Sequence, residues 1–166
     1  MNAPVLLSPE HIAMVDRGVS VIVASRDAAL RPSIMRGAGS AISADGTQVT
    51  VFLRRSQSRQ LMQDIEAGGG LAVVFSEPPT HRTLQLKARQ ASLRPASPTD
   101  QPQLARYLAS MQCELAQVGY GPEFAAAMLS APLEDVVAVQ FTPESAFDQT
   151  PGPRAGIPLD VPKATP

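Results

Sequence analysis

Thr47-Gln-Val-Thr-Val-Phe-Leu-Arg-Arg-Ser-Gln-Ser-Arg-Gln-Leu61 is the stretch on which the organisation of the chain turns. Thr47 to Leu53 is rich in β-branched and aromatic residues and reads as a strand. A short polar link follows. A helix then opens near Ser56 to Ser58 and runs to Ala67, with Leu61, Met62 and Ile65 on one face, until Gly68-Gly69-Gly70 stops it. A helix N-terminus offers backbone N–H groups and the positive end of a dipole, both suited to a phosphate. Arg54, Arg55, Ser58 and Arg59 surround that point, and Ser58 is placed to act as cap, as ligand or as both. Alone, the segment reads equally well as a capped helix with solvated arginines.

Upstream, Ser8-Pro9-Glu10 announces a helix that ends near Gly18. Val19 to Ser25 is a β-branched strand. Pro32 to Ile42 is a weaker one, because it carries Gly37 and Gly39. The turn Ser43-Ala-Asp-Gly46 links it to Thr47–Leu53, so these three strands make a meander. Downstream, Leu71–Phe75, Arg82–Leu93 and Val136–Phe141 read as strands, the last with a weaker extension to Phe147. Helical spacing predicts helices from Gln101 to about Val118 and from Pro122 to about Leu129. Short links make the strands antiparallel. The expectation is an α+β fold, a six-stranded antiparallel β-barrel with inserted and flanking helices. Runs such as VSVIVAS and LAVVF predict strands buried on both faces.

At 166 residues and 44% apolar content, the chain has room for one cored domain, placed at 1–150. Five prolines among residues 151–166 predict an extended tail. One cysteine and two histidines exclude a disulfide framework and a cysteine-only metal centre, and no metal site is expected. The net charge of −1 argues against a nucleic-acid partner. No segment approaches the roughly 20 apolar residues of a membrane span, and no leader is evident at Met1–Leu7, so a cytoplasmic protein is expected. The balance hides a split. Residues 17–94 hold 10 Arg and one Lys against five acids, and residues 95–166 hold three bases against eight. Arginine forks suit phosphate and carboxylate. Composition leaves open whether the basic block is a solvated face or an anion site.

A second Ser/Arg pair, Pro32-Ser33-Ile34-Met35-Arg36, lies one hairpin upstream, where antiparallel pairing would bring Arg36 near Leu53 and Arg54. With Phe52-Leu53-Arg54 and Ser58-Arg59-Gln60 it resembles the FMN-binding split-barrel family typified by pyridoxamine 5′-phosphate oxidase. There the corresponding stretches read roughly Pro-Ser-x-Arg-x-Val-Leu-Leu-Lys and Phe-x-Thr-Asn-Tyr-x-Ser-Arg-Lys. Pro143-Glu-Ser-Ala-Phe147-Asp-Gln149 is similar to a third family stretch, and the resemblance spans about residues 15–155. It implies a split barrel that binds FMN at the interface of a homodimer, with the flavin supplying redox chemistry. Carried over residue by residue, it assigns the phosphate to Ser58 and Arg59, with Gln60 at the position of the supporting family lysine and Arg54 or Arg55 compensating for that lysine. It assigns the phosphate or the polar edge of the ring to Arg36, ring contacts to backbone around Ser33 and Leu53, and further contacts to Arg82, Thr83 and Gln85. Phe147 and Gln149 would reach the other subunit's ligand.

The departures narrow the function. Gln60 and Ser40 stand at or near family lysines, Asp148 replaces a tryptophan, and Arg154 lacks the histidine of an Arg-x-His signature, so vitamin B6 oxidation is not expected. The expectation is an FMN-binding oxidoreductase-type flavoprotein of unknown substrate. The alternatives are a barrel that holds flavin or haem without turnover, and one that has lost its cofactor and serves as a stress or interaction module. No catalytic residue is assigned. Cys113 reads as packed apolar surface, His81 as a loop residue, His11 as structural or solvated, and Glu134-Asp135 as a turn.

Overall fold

The computed structural model describes residues 7–159. Helix α1 (Pro9–Arg17) ends at Gly18, whose φ of +92° suits glycine. Strands β1 (Ser20–Arg26), β2 (Pro32–Arg36), β3 (Gly39–Ile42) and β4 (Val49–Arg54) follow. A 3₁₀ turn at Arg55–Gln57 then leads into α2 (Arg59–Glu66). Next come β5 (Leu71–Ser76), β6 (Thr83–Ala88), β7 (Ser92–Pro95), a 3₁₀ turn at Pro98–Asp100, α3 (Gln101–Ala116) and α4 (Pro122–Leu129). The described chain closes with β8 (Val136–Phe141), β9 (Ser145–Asp148) and β10 (Ile157–Pro158).

The strands form two antiparallel sheets, ordered β10-β9-β6-β5-β1-β2 and β3-β4-β8-β7. The fold is α+β and antiparallel as expected, but the expected six strands are corrected to ten in two sheets, with no closed barrel among the described residues. The expected strands 32–42 and 82–93 each break in two, because the chain leaves one sheet and enters the other. So does 136–147, where β8 and β9 lie in different sheets. The first crossing explains its glycines. A Cβ on Gly37 would lie 2.5 Å from Val21 Cγ1, and one on Gly39 would lie 2.9 Å from Phe52 Cδ2. Only a residue without a side chain passes so close.

One buried cluster unites the two sheets, including Val21, Val23, Val73, Phe75, Leu84 and Leu86 with Val49, Val51, Val139 and Phe141. β1 and β5 alternate buried and half-buried residues, which corrects the expectation that VSVIVAS and LAVVF are covered on both faces. Two-sided burial falls instead on β4 and β8, where Phe52, Val136 and Ala138 form a second cluster packed by Leu104 and Ala131. Of the proline-rich segment, residues 151–156 turn back and β10 pairs with β9. The remainder, 160–166, lies outside the described residues. Among the described residues no helix is long and apolar enough to cross a membrane.

Candidate functional site

β4 delivers Arg54 to the start of α2, and Asp135 pins the turn between them. The Ser56 N–H donates to Asp135 Oδ1 at 2.8 Å, and the Ser56 hydroxyl donates to Oδ2 at 2.7 Å. These bonds, the hydroxyl's first, hold the Asp135 carboxyl below its ordinary range, with Arg54 and Arg55 adding to the effect. Arg54 Nε is 3.9 Å from Asp135 Oδ2, yet it is buried without a hydrogen-bond partner. Ser58 is 1% exposed and its Oγ is equally without a partner. Its hydroxyl does not cap α2; at Ser58 the helix start closes through the backbone, Ser58 N–H to Arg55 O and Met62 N–H to Ser58 O. Arg55 and Arg59 form no ion pair among the described residues. Both line a cavity of about 260 Å³ that Met62, Leu93, Arg94 and Val137 help to enclose.

The other expected site residues fall elsewhere. Ser33 and Gln60 converge on buried Asp64, its Oδ2 accepting from the Ser33 hydroxyl at 2.5 Å and its Oδ1 from the Gln60 amide at 2.8 Å. Leu53 is wholly buried in β4 opposite Val137. On the β6–β9 pair, the Gln149 amide donates to Gln85 Oε1 at 3.2 Å, and the Gln149 N–H donates to Thr83 O. Phe147 lies opposite Gln85 in the ladder, under the Lys87 ammonium, 4.7 Å from the ring centre. Arg82 precedes β6, 3.6 Å from Glu10, and lines a cavity of about 100 Å³ with His11 and Asp148. Burial first, and Arg82 second, hold the His11 pKa below its ordinary value. Asp148 is held low by its bonds to Thr150.

Arg36 requires a correction. It does not join Arg54 but donates from Nη1 to Ser20 Oγ at 2.9 Å and lines a different cavity. The reason is parity. In the family stretch the arginine stands three residues after the proline, whereas Arg36 stands four after Pro32. Successive side chains on a strand point to opposite faces, so a shift of one turns the group away. Ser33 and Met35 take the half-buried face, and Ile34 and Arg36 the exposed one.

The α2 start and the Asp64 cluster differ in what they can still bind. Two unpaired guanidiniums, Arg55 and Arg59, with Arg94 against the single carboxylate of Glu66, give the cavity at the α2 start an excess of positive charge suited to an anion; Arg54 Nε and Ser58 Oγ lie buried in the same turn without hydrogen-bond partners. The Ser33 hydroxyl and one Gln60 amide N–H are each bonded to Asp64, and these bonds leave the expected Ser33 backbone contact untouched. At about 260 Å³ the cavity is smaller than a typical whole-ligand pocket. Sequence reasoning missed Asp64 and Asp135. Asp64 had a signal, standing one helical turn after Gln60. Asp135, 79 residues from Ser56, had none.

No protein-family model matches the chain, and no curated protein matches it by sequence. Its fold is that of the pyridoxamine 5′-phosphate oxidase-related proteins, which supports the family resemblance at the level of the fold. A candidate pyridoxamine 5′-phosphate oxidase from Lactobacillus delbrueckii is similar over 85% of this chain and 93% of its own, with a TM-score of 0.54 at 15% identity. A Clostridium acetobutylicum protein related to general stress protein 26, of the pyridoxinephosphate oxidase family, is similar over 92% of each chain, with a TM-score of 0.52 at 13% identity. An F420 reductase is similar over 84% of this chain and 98% of its own, with a TM-score of 0.52 at 18% identity.

Proposed function

We propose that the chain binds a flavin nucleotide, FMN, and serves as a flavin-dependent oxidoreductase on a substrate other than vitamin B6. The observation that carries this reading is the pair of unpaired guanidiniums, Arg55 and Arg59, on one cavity at the start of α2, with Ser58 Oγ and Arg54 Nε buried without hydrogen-bond partners in the same turn. Arg54, Arg55, Ser58 and Arg59 would hold the phosphate. The bound flavin would supply the redox chemistry. The small size of the one-chain cavity supports a homodimer in which a partner completes the pocket. The fold shared with a candidate pyridoxamine 5′-phosphate oxidase and an F420 reductase supports a flavin or deazaflavin as the class of ligand.

The test compares FMN with riboflavin, which lacks the phosphate, by flavin fluorescence titration. FMN should bind more tightly, and Arg59→Ala should weaken FMN by roughly ten- to a hundredfold while leaving riboflavin unchanged, since a charged hydrogen bond contributes about 1.5–3 kcal/mol. Equal affinity for the two flavins in the unaltered protein would overturn the reading. A second reading, flavin binding without turnover, is favoured by Ser33 and Gln60 being tied to Asp64. Reduction of the bound flavin by a nicotinamide cofactor, with transfer to an acceptor, separates the two.

A further inference from the structure

Arg36 opens onto a cleft of about 370 Å³ bounded by the ends of β1, β2 and β5, the second half of α3, and α4. None of its lining residues belongs to the α2 locus. Its walls are unusual for this chain, which has only seven aromatic residues. Tyr120 and Phe124 stack with ring centres 4.5 Å apart, yet each residue is about half exposed, at 49% and 45%. With Val118 they make up three of the six large apolar side chains most exposed among the described residues. Half the conspicuous apolar exposure is therefore gathered on one concave surface, the signature of a binding site rather than of scattered surface residues. Met111 and Leu115 form buried floor, and methionine adapts to ligands of irregular outline.

Charge decides which ligand fits. Arg36 forms no ion pair among the described residues, and its one side-chain bond, to Ser20, leaves most of its fork of donors unused. The acid that also lines the cleft, Glu77, is occupied on both oxygens: Arg17 donates to Oε1 at 2.8 Å and the Thr80 hydroxyl to Oε2 at 2.7 Å. His81 lines the cleft too, held in the left-handed region at φ +59° by a turn in which its N–H donates to Glu77 O. A non-glycine residue in that region is uncommon and draws attention to the loop that holds it. A cavity of this volume takes a small molecule whole.

We propose that this cleft binds a small organic anion, with a planar apolar body against Tyr120 and Phe124 and its carboxylate or phosphate on Arg36. The inference stands whether or not flavin binds at the start of α2. The probe is 2-naphthoate, whose fluorescence is read without tryptophan background because the chain contains none, compared with neutral 2-naphthalenemethanol. The full chain should bind naphthoate saturably at one per chain and roughly tenfold or more tighter than the alcohol, as a charge-assisted bond implies. Arg36→Gln, at an exposed position, should bring naphthoate down to the affinity of the alcohol. Phe124→Ser should weaken both severalfold. Non-saturable binding, equal affinity for acid and alcohol, or an Arg36→Gln protein that binds naphthoate as before would each overturn the proposal. So would loss of naphthoate binding in Arg59→Ala, which would move the probe to the other site.

Discussion

α2 and α3 begin with the same parts and finish them differently. Each follows a strand that carries arginine, each is entered through a 3₁₀ turn, and each has a serine at the entry. At α3 every part is matched. Arg94 donates both arms of its fork to Asp100, at 2.7 and 2.8 Å, and the Ser97 N–H and hydroxyl donate to the same carboxylate. At α2 the corresponding carboxylate, Asp135, is committed to Ser56, which leaves Ser58 Oγ and Arg54 Nε buried and unpartnered and Arg55 and Arg59 unpaired. A buried donor or acceptor without a partner costs about 1–3 kcal/mol. One helix start is therefore complete as architecture, and the other leaves two buried polar atoms without a hydrogen-bond partner.

The sharpest way to break the comparison is at the arginines. Replacing Arg55 and Arg59 together with alanine should lower FMN affinity by at least about a hundredfold in a fluorescence titration while the thermal midpoint stays within a few degrees, because neither residue has a structural partner. A large loss of stability instead would make α2 an ordinary helix start. Asp100→Ala should do the reverse. Chemical denaturation should show a loss of about 2–3 kcal/mol, with two charged bonds gone, and FMN affinity should not fall, because Arg94, which lines the same cavity, is left without its acid. Among the serines, Ser97→Ala should cost about 1 kcal/mol, whereas Ser58→Ala should be neutral to slightly stabilising in the apoprotein, since it removes an unsatisfied hydroxyl. Ser58→Ala should nonetheless weaken FMN about threefold to tenfold.

The smallest expected effect is a pH dependence. The Arg94 fork first, and the Ser97 N–H after it, hold the Asp100 pKa at about 2 against an ordinary 3.8. A depressed carboxylate pKa means that the folded state binds its proton less readily than the unfolded chain. The contribution is thus full above the ordinary value and fades as pH falls towards about 2. Urea midpoints followed from about pH 5 to pH 2 should fall less steeply in Asp100→Asn than in the unaltered protein.

The α2 start was legible because all its parts are local: a β-branched run, a polar link, a helical period and the Arg/Ser pattern lie within fifteen residues. The α+β class was legible for the same reason. The two-sheet arrangement was not, because what breaks residues 32–42 is the approach of Val21 and Phe52 to Gly37 and Gly39, and those neighbours exist only after folding. Arg36 is an intermediate case. Its face follows from counting positions after Pro32, and the similarity of residue types hid that count. The tie of the Ser33 and Gln60 side chains to Asp64 is readable from Gln60 along the helix but not from Ser33 across the sheet.

The two edges of the six-stranded sheet also differ in what they permit. On one side the last strand, β10, is two residues long, and its second residue is Pro158, which has no N–H to offer. Short strands and proline are what blunt an edge against templated pairing with another chain. On the other side β2 is five residues long, with Leu30 just before it 67% exposed and Ile34 within it 64% exposed. Among the described residues the β10 edge is thus the more thoroughly blunted of the two, since β2 carries its proline only at its first residue, Pro32.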